Sequence, residues 1–184
     1  MKSALPRLSL ASLALCAGNA LAADDVGAYL GVRGGSAMED RYGEFTPELD
    51  ADNPLSVYGG WNFSALWGLE LGYIDLGETT APNIADAGLD ADGHLVTGGV
   101  SFRAPVAERF DVFAGAGLFK LSEDGVTYTV AGPIPLDLDD DGVYVEVGGR
   151  FHFNDRVALR ASYQWFDFEK GNDGTPWIGA ELRF

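Results

Sequence analysis

The stretch that decides the fold is Val143-Tyr144-Val145-Glu146-Val147-Gly148-Gly149-Arg150-Phe151-His152-Phe153. Read with a period of two, Val143, Val145, Val147, Gly149, Phe151 and Phe153 share one face, and Tyr144, Glu146, Gly148, Arg150 and His152 share the other. One face is oily and the other carries charge, which is the pattern of a strand between two unlike environments.

The same split recurs along the chain. Leu55, Val57, Trp61 and Phe63 oppose Ser56, Tyr58, Gly60 and Asn62; Trp67, Leu69, Leu71 and Tyr73 oppose Gly68, Glu70 and Gly72. Val96, Val100 and Phe102 oppose Thr97, Gly99, Ser101 and Arg103; Val157, Leu159, Ala161, Tyr163 and Trp165 oppose Arg160, Ser162 and Gln164. The last segment sets Ile178, Ala180, Leu182 and Phe184 against Gly179, Glu181 and Arg183. A first strand at Val26 to Gly34 places Tyr29, Gly31 and Arg33 opposite Ala28, Leu30 and Val32. In a fifth strand, Phe110 to Leu121, both faces are apolar, so its register stays open. Eight strands of roughly nine to eleven residues suit antiparallel closure and a tilted crossing of a bilayer. The expectation is an all-β, eight-stranded, antiparallel up-and-down transmembrane barrel.

Alternation alone also fits a soluble, lipocalin-like barrel with its oily face inward. Two features oppose that. Glu70, Arg103, Glu146, Arg150, Arg160, Glu181 and Arg183 interleave with glycine on one face, as a narrow lumen filled by ion pairs requires. Trp61, Phe63, Trp67, Phe102, Phe151, Phe153 and Phe184 gather on the other face at strand ends, as an interfacial girdle does, with Tyr73, Tyr163 and Trp165 as candidates for a second girdle.

The first 22 residues differ. Lys2 and Arg7, the apolar Leu8 to Gly18, and Ala20-Leu21-Ala22 read as a secretory signal cut between Ala22 and Ala23, leaving a single barrel domain over 23–184. The one cysteine, Cys16, lies within it; Leu15 before it is not the small residue that lipidation prefers. Without Lys2 and Arg7 the chain holds 28 acidic and 10 basic residues, a formal charge of −18, which disfavours nucleic acid.

Connections alternate in length. Ser64–Leu66, Ala104–Arg109 and Asn154–Arg156 are short; Ser36–Asn53, Gly77–Asp92, Ser122–Asp141 and Asp167–Thr175 are long and hold 19 acidic residues against Arg41 and Lys170. Three of these loops end in Leu-Asp-x-Asp, just before strands two, four and six. An acidic, solvated rim follows. Asp137, Asp139, Asp141 and Gly142 imitate the start of a calcium-binding loop, but the twelfth position is Gly148 and the context is a strand, so a specific calcium site is not expected.

Trp67 to Gly77, Val157 to Trp165 and the closing Gly179-Ala180-Glu181-Leu182-Arg183-Phe184 resemble the outer membrane protein A and X type of barrel, the outer-membrane β-barrel domain family. The resemblance implies recognition of Ile178, Ala180, Leu182 and Phe184 by the barrel assembly machinery and an outer membrane with lipid and lipopolysaccharide around the barrel; with a periplasmic N-terminus, the alternating connection lengths put the four long loops outside the cell. No cofactor is expected.

Three functions follow. The first is a non-enzymatic surface protein with a side-chain-filled lumen, supporting envelope integrity or outside contacts, for which a small gated pore is the variant. Divalent cations shared between loop oxygens and lipopolysaccharide phosphates are a candidate partner. The second is a lipid A-modifying enzyme, which needs a hydroxyl nucleophile beside a histidine; only His94 and His152 are available, and they are expected toward opposite ends. The third is the soluble carrier.

Overall fold

The computed structural model describes residues 26–38, 50–84, 87–129, 131–169 and 171–184. The segment 1–22, expected from the sequence to be a secretory signal, and most of the first long loop lie outside them. The strands are β1 Gly27–Gly35, β2 Asp50–Ala51, β3 Leu55–Asn62, β4 Trp67–Ile84, β5 Ala87–Ala107, β6 Phe110–Thr129, β7 Gly132–His152, β8 Val157–Phe168 and β9 Gly171–Arg183. Every pairing is antiparallel, each stave follows its chain neighbour, and β1 pairs both β3 and β9, so eight staves close a cylinder. The two-residue β2 only caps β4, at Thr79 and Thr80.

Closure sorts the side chains. Glu146, Arg150, Tyr144 and Phe166 are buried, whereas Leu71 is 70% and Val145 49% exposed, so the oily face is outside and the soluble carrier is ruled out. The register of β6 is now fixed: Val112 and Leu118 face outward, and Phe113 and Phe119 face inward. On the outside, Trp67 packs edge-on against Phe102, and Phe151 against Phe153, near the short turns. At the other end Tyr73 stacks on His94, and Tyr163 meets Trp165.

Two of the stretches read as long loops, 77–92 and 122–141, are instead hairpins. The β4–β5 ladder runs on to Ala81↔Leu89 and beyond, and the β6–β7 ladder is unbroken to Thr129↔Gly132. The stretch 167–175 likewise lies mostly in β8 and β9, which pair to Phe168↔Gly171. The reason is physical: above the lipid the outward positions no longer need to be apolar. Along β7 the outward row changes from Val147, Val145, Val143 to Asp141, Asp139, Asp137; on β8 it changes from Trp165 to Asp167, and on β4 from Tyr73 to Asp75. That transition marks the edge of the hydrocarbon.

Two glycines allow this geometry. The β4–β5 register shifts between Asp75 and Gly77, where Gly77 takes φ of 68°, donates its N–H to Asp75 Oδ1 at 3.1 Å, and would drive a Cβ to 2.6 Å from that of Asp52. On the inner face Gly31 leaves the space that the Tyr58 ring occupies.

The β4–β7 sheet rises above its neighbours, because β8 pairs β7 only as far as Val143↔Asp167. Among the described residues, Gly132 to Gly142 therefore form an edge. His152 N donates to Arg109 O on the β6 side, so in this unbroken ladder the odd-numbered β7 backbone groups point to β8 and, above it, to the edge. Those positions are Pro133 and Pro135, which have no N–H, and Asp137, Asp139 and Asp141, which repel a second strand. Replacing Pro135, Asp137 and Asp139 together by Thr is expected to shift detergent-solubilised protein to larger species in size-exclusion chromatography. Unchanged elution would contradict this reading of the edge.

Candidate functional site

The chemistry-bearing side chains converge in the lumen in three layers. Nearest the short turns, the buried Asp111 carboxylate holds His152 Nε2 at 2.9 Å and lies 3.9 Å from Arg103 Nη1. Arg103 also donates from Nε to Ala65 O at 2.9 Å, which fixes it to the turn after β3. A cavity of about 470 Å³ opens here, lined among others by Glu108, Arg109, Asp111, His152, Asp155 and Arg183. Of the lumen ion-pair candidates read from the sequence, Arg103 is buried at this end beside Asp111, and Arg183 lines the cavity.

The middle layer is a charge-balanced lattice of three glutamates and three arginines. Glu70 accepts Arg160 Nη1 at 2.6 Å, Arg160 Nη2 at 3.1 Å and the Tyr29 hydroxyl at 2.8 Å. Glu146 Oε1 accepts Arg33 Nη1 at 2.8 Å and Arg160 Nη2 at 2.9 Å. Arg150 Nε lies 3.2 Å from Glu181 Oε2, an ion pair without an aligned hydrogen bond. Arg33 further donates to Gln164 Oε1 at 3.1 Å. Aromatic faces sandwich the guanidinium groups: Arg160 lies 4.2 Å from the Phe113 centroid and 4.6 Å from that of Tyr58, Arg150 4.7 Å from Phe113, and Arg33 4.6 Å from Trp177. All six charged residues are buried, so each carboxylate has exchanged water for guanidinium.

Arg33 was missed as a member of this set, although its alternation with Tyr29 and Gly31 places it on the polar face. The first strand shows the pattern weakly, because Arg33 is the one charge in Val26–Gly34.

The third layer, at the hairpin end, is apolar: Met38, Ile74, Leu76, Leu95, Phe119, Leu121, Tyr144, Phe166, Phe168 and Trp177, all buried. Phe119 packs edge-on against Phe166 and Phe168, at 5.4 and 4.9 Å between centroids. The sequence reading contained no such plug.

Asp137, Asp139 and Asp141 do not converge. They are exposed on one straight row of β7, and Asp139 Oδ1 instead accepts the Ser122 hydroxyl at 2.7 Å. Among the described residues no three His, Cys, Asp or Glu side chains gather as a metal site. His94 stacks outside on Tyr73 while His152 bonds Asp111 inside, near the opposite end. On β9, Ile178 and Leu182 face outward, and Phe184 N donates to Ala28 O at 2.9 Å.

Solved structures share this architecture. OprG of Pseudomonas aeruginosa superposes with a TM-score of 0.62 at 13% identity, covering 88% of this chain and 97% of its own. Neisserial surface protein A gives 0.61 at 12%, covering 86% and 97%. Ail, the attachment invasion locus protein of Yersinia pestis, gives 0.57 at 15%, also covering 86% and 97%. At such identities the likeness concerns the fold alone. A search of curated protein sequences finds no match. The family described as outer membrane protein beta-barrel domain matches residues 8–184, and the chain, an outer-membrane β-barrel, belongs to it.

Proposed function

We propose that the chain is a small non-enzymatic outer-membrane protein with a closed lumen, whose acidic hairpins rise outside the cell to support the envelope or meet surface partners. One observation carries this: among the described residues the lumen is filled by a balanced, buried Arg–Glu lattice beneath an apolar plug. In this reading the short turns, the start of β1 and the end of β9 face the periplasm. Planar-bilayer recordings of the refolded barrel are expected to show no porin-like current. Porin-sized steps would refute the closed lumen.

The lipid A-modifying reading has no histidine–hydroxyl hydrogen bond to support it among the described residues: His152 is held by Asp111, and His94, opposite Ser122 across the β5–β6 ladder, stacks on Tyr73 while the Ser122 hydroxyl donates to Asp139. For partners, we propose lipopolysaccharide with divalent cations screening its phosphates from Asp75, Asp141 and Asp167, which sit just above the apolar band. Calcium or magnesium is expected to raise the thermal midpoint of the refolded barrel by a few degrees over sodium at matched ionic strength. An unchanged midpoint removes the cation proposal. The outward Ile178, Ala180, Leu182 and Phe184 row is proposed as the segment read by the assembly machinery.

A further inference from the structure

We propose that the apolar plug, and not the ion-pair lattice, is the layer that closes this lumen to water and ions; the inference rests on the closed-lumen reading. The plug draws inward side chains from β4 (Ile74, Leu76), β5 (Leu95), β6 (Phe119, Leu121), β7 (Tyr144), β8 (Phe166, Phe168) and β9 (Trp177), with Met38 following β1. It therefore reaches across most of the barrel's section. Each of these side chains is at most 5% exposed, and none carries a charge. An ion entering this cluster gives up its water and meets only the Tyr144 hydroxyl and the Trp177 indole N–H within it, the buried Glu123 standing beyond Leu121 on the hairpin side; a hydrophobic constriction gates in this way.

The lattice below is different. Arg160 lies within reach of Glu70, Glu146 and Glu181 at 2.6, 2.9 and 3.9 Å, and Arg150 sits between Glu181 at 3.2 Å and Glu70 at 4.0 Å. Arg160 and Arg150 thus each have a second carboxylate within a small rotation. Such a layer can exchange partners and supply oxygen or nitrogen ligands to a passing ion. Its short-turn side leads to the mouth cavity, whose lining is largely charged. The lumen is built as an open mouth, a polar lattice and a dry stopper in series, and the stopper holds the larger barrier.

The test is conductance of the refolded full-length barrel in planar bilayers, with heat-modifiable gel migration as the check of folding. Two plug variants, Phe166→Ala and Leu121→Ser, are made so that one folded barrel suffices. The lattice variant is Glu146→Gln, which keeps the shape of the side chain and removes its charge. The expected result is a rise of about tenfold or more in ion current for the plug variants, with Glu146→Gln remaining at the wild-type leak. Current through Glu146→Gln, or folded plug variants that both stay at the wild-type level, overturns the inference. A wild-type barrel that conducts like an open porin instead overturns the closed-lumen reading itself, and is told apart because every variant then conducts alike.

Discussion

Glu146→Ala is expected to destabilise the barrel by about 3–5 kcal/mol, because it leaves a buried guanidinium without its counter-charge. The loss falls mainly on Arg33. Arg160 retains Glu70 at 2.6 Å, whereas Arg33 has Glu146 as its ion-pair partner at 2.8 Å and otherwise meets the neutral Gln164 and Ser56. Water cannot easily replace the carboxylate, since Arg33 is 4% exposed and roofed by Trp177. Urea titration of the refolded barrel, followed by tryptophan emission, measures the cost. The double variant Glu146→Ala with Arg33→Met is expected to recover part of it, because the surviving charge is gone. A single-variant cost below about 1 kcal/mol, the range of exposed pairs, would mean that the lattice is hydrated.

The second large effect is on the opposite face of the same strand. Val145→Arg is expected to cost about 1–3 kcal/mol, because the position lies between the bilayer midplane, where a cation costs about 2–4 kcal/mol, and the interface, where the cost falls to about 0–1 kcal/mol. Val145 lies on the outward row between Val143 and Val147, with Trp165 as its partner across the β7–β8 ladder. The same titration in lipid vesicles reads this cost. Outward Asp139, two positions beyond the apolar row's last neighbour Asp141, provides the contrast: Asp139→Arg is expected to change stability little, because that position is already in water. Equal costs at both sites would contradict the assigned hydrocarbon edge.

How far the sequence discloses this architecture depends on where each environment begins and ends. Within the lipid band, the outside must be oily and the narrow inside takes glycine or paired charge, so Glu70, Glu146, Arg150 and Glu181 are legible from alternation alone. Above the band both faces change. The outward row turns acidic at Asp75, Asp141 and Asp167, while the inner positions Ile74, Leu76, Leu121 and Phe166 turn apolar, so the contrast that identifies a membrane strand vanishes although the ladder continues. The hairpins were therefore read as loops, and the plug was not seen. Phe113 and Phe119 illustrate the same limit: one stacks beneath guanidinium groups and the other belongs to the plug, roles that neighbouring residues in the chain do not reveal. The acidic Leu-Asp-x-Asp repeat suggests a rim, but only the pairing of β7 shows that Asp137, Asp139 and Asp141 line an edge, unpaired among the described residues, rather than a cation cage.

The four tryptophans give the most direct test of the inside-out barrel. Trp61, Trp67 and Trp165 are 44–47% exposed on the outer wall, whereas Trp177 is 3% exposed inside the lumen. Four refolded barrels, each retaining one of them with the other three replaced by Phe, are placed in vesicles containing brominated lipid and their emission is recorded. Strong quenching of Trp61, Trp67 and Trp165 with Trp177 protected is the result predicted here. Quenching of Trp177 by lipid, with Trp165 untouched, would contradict it.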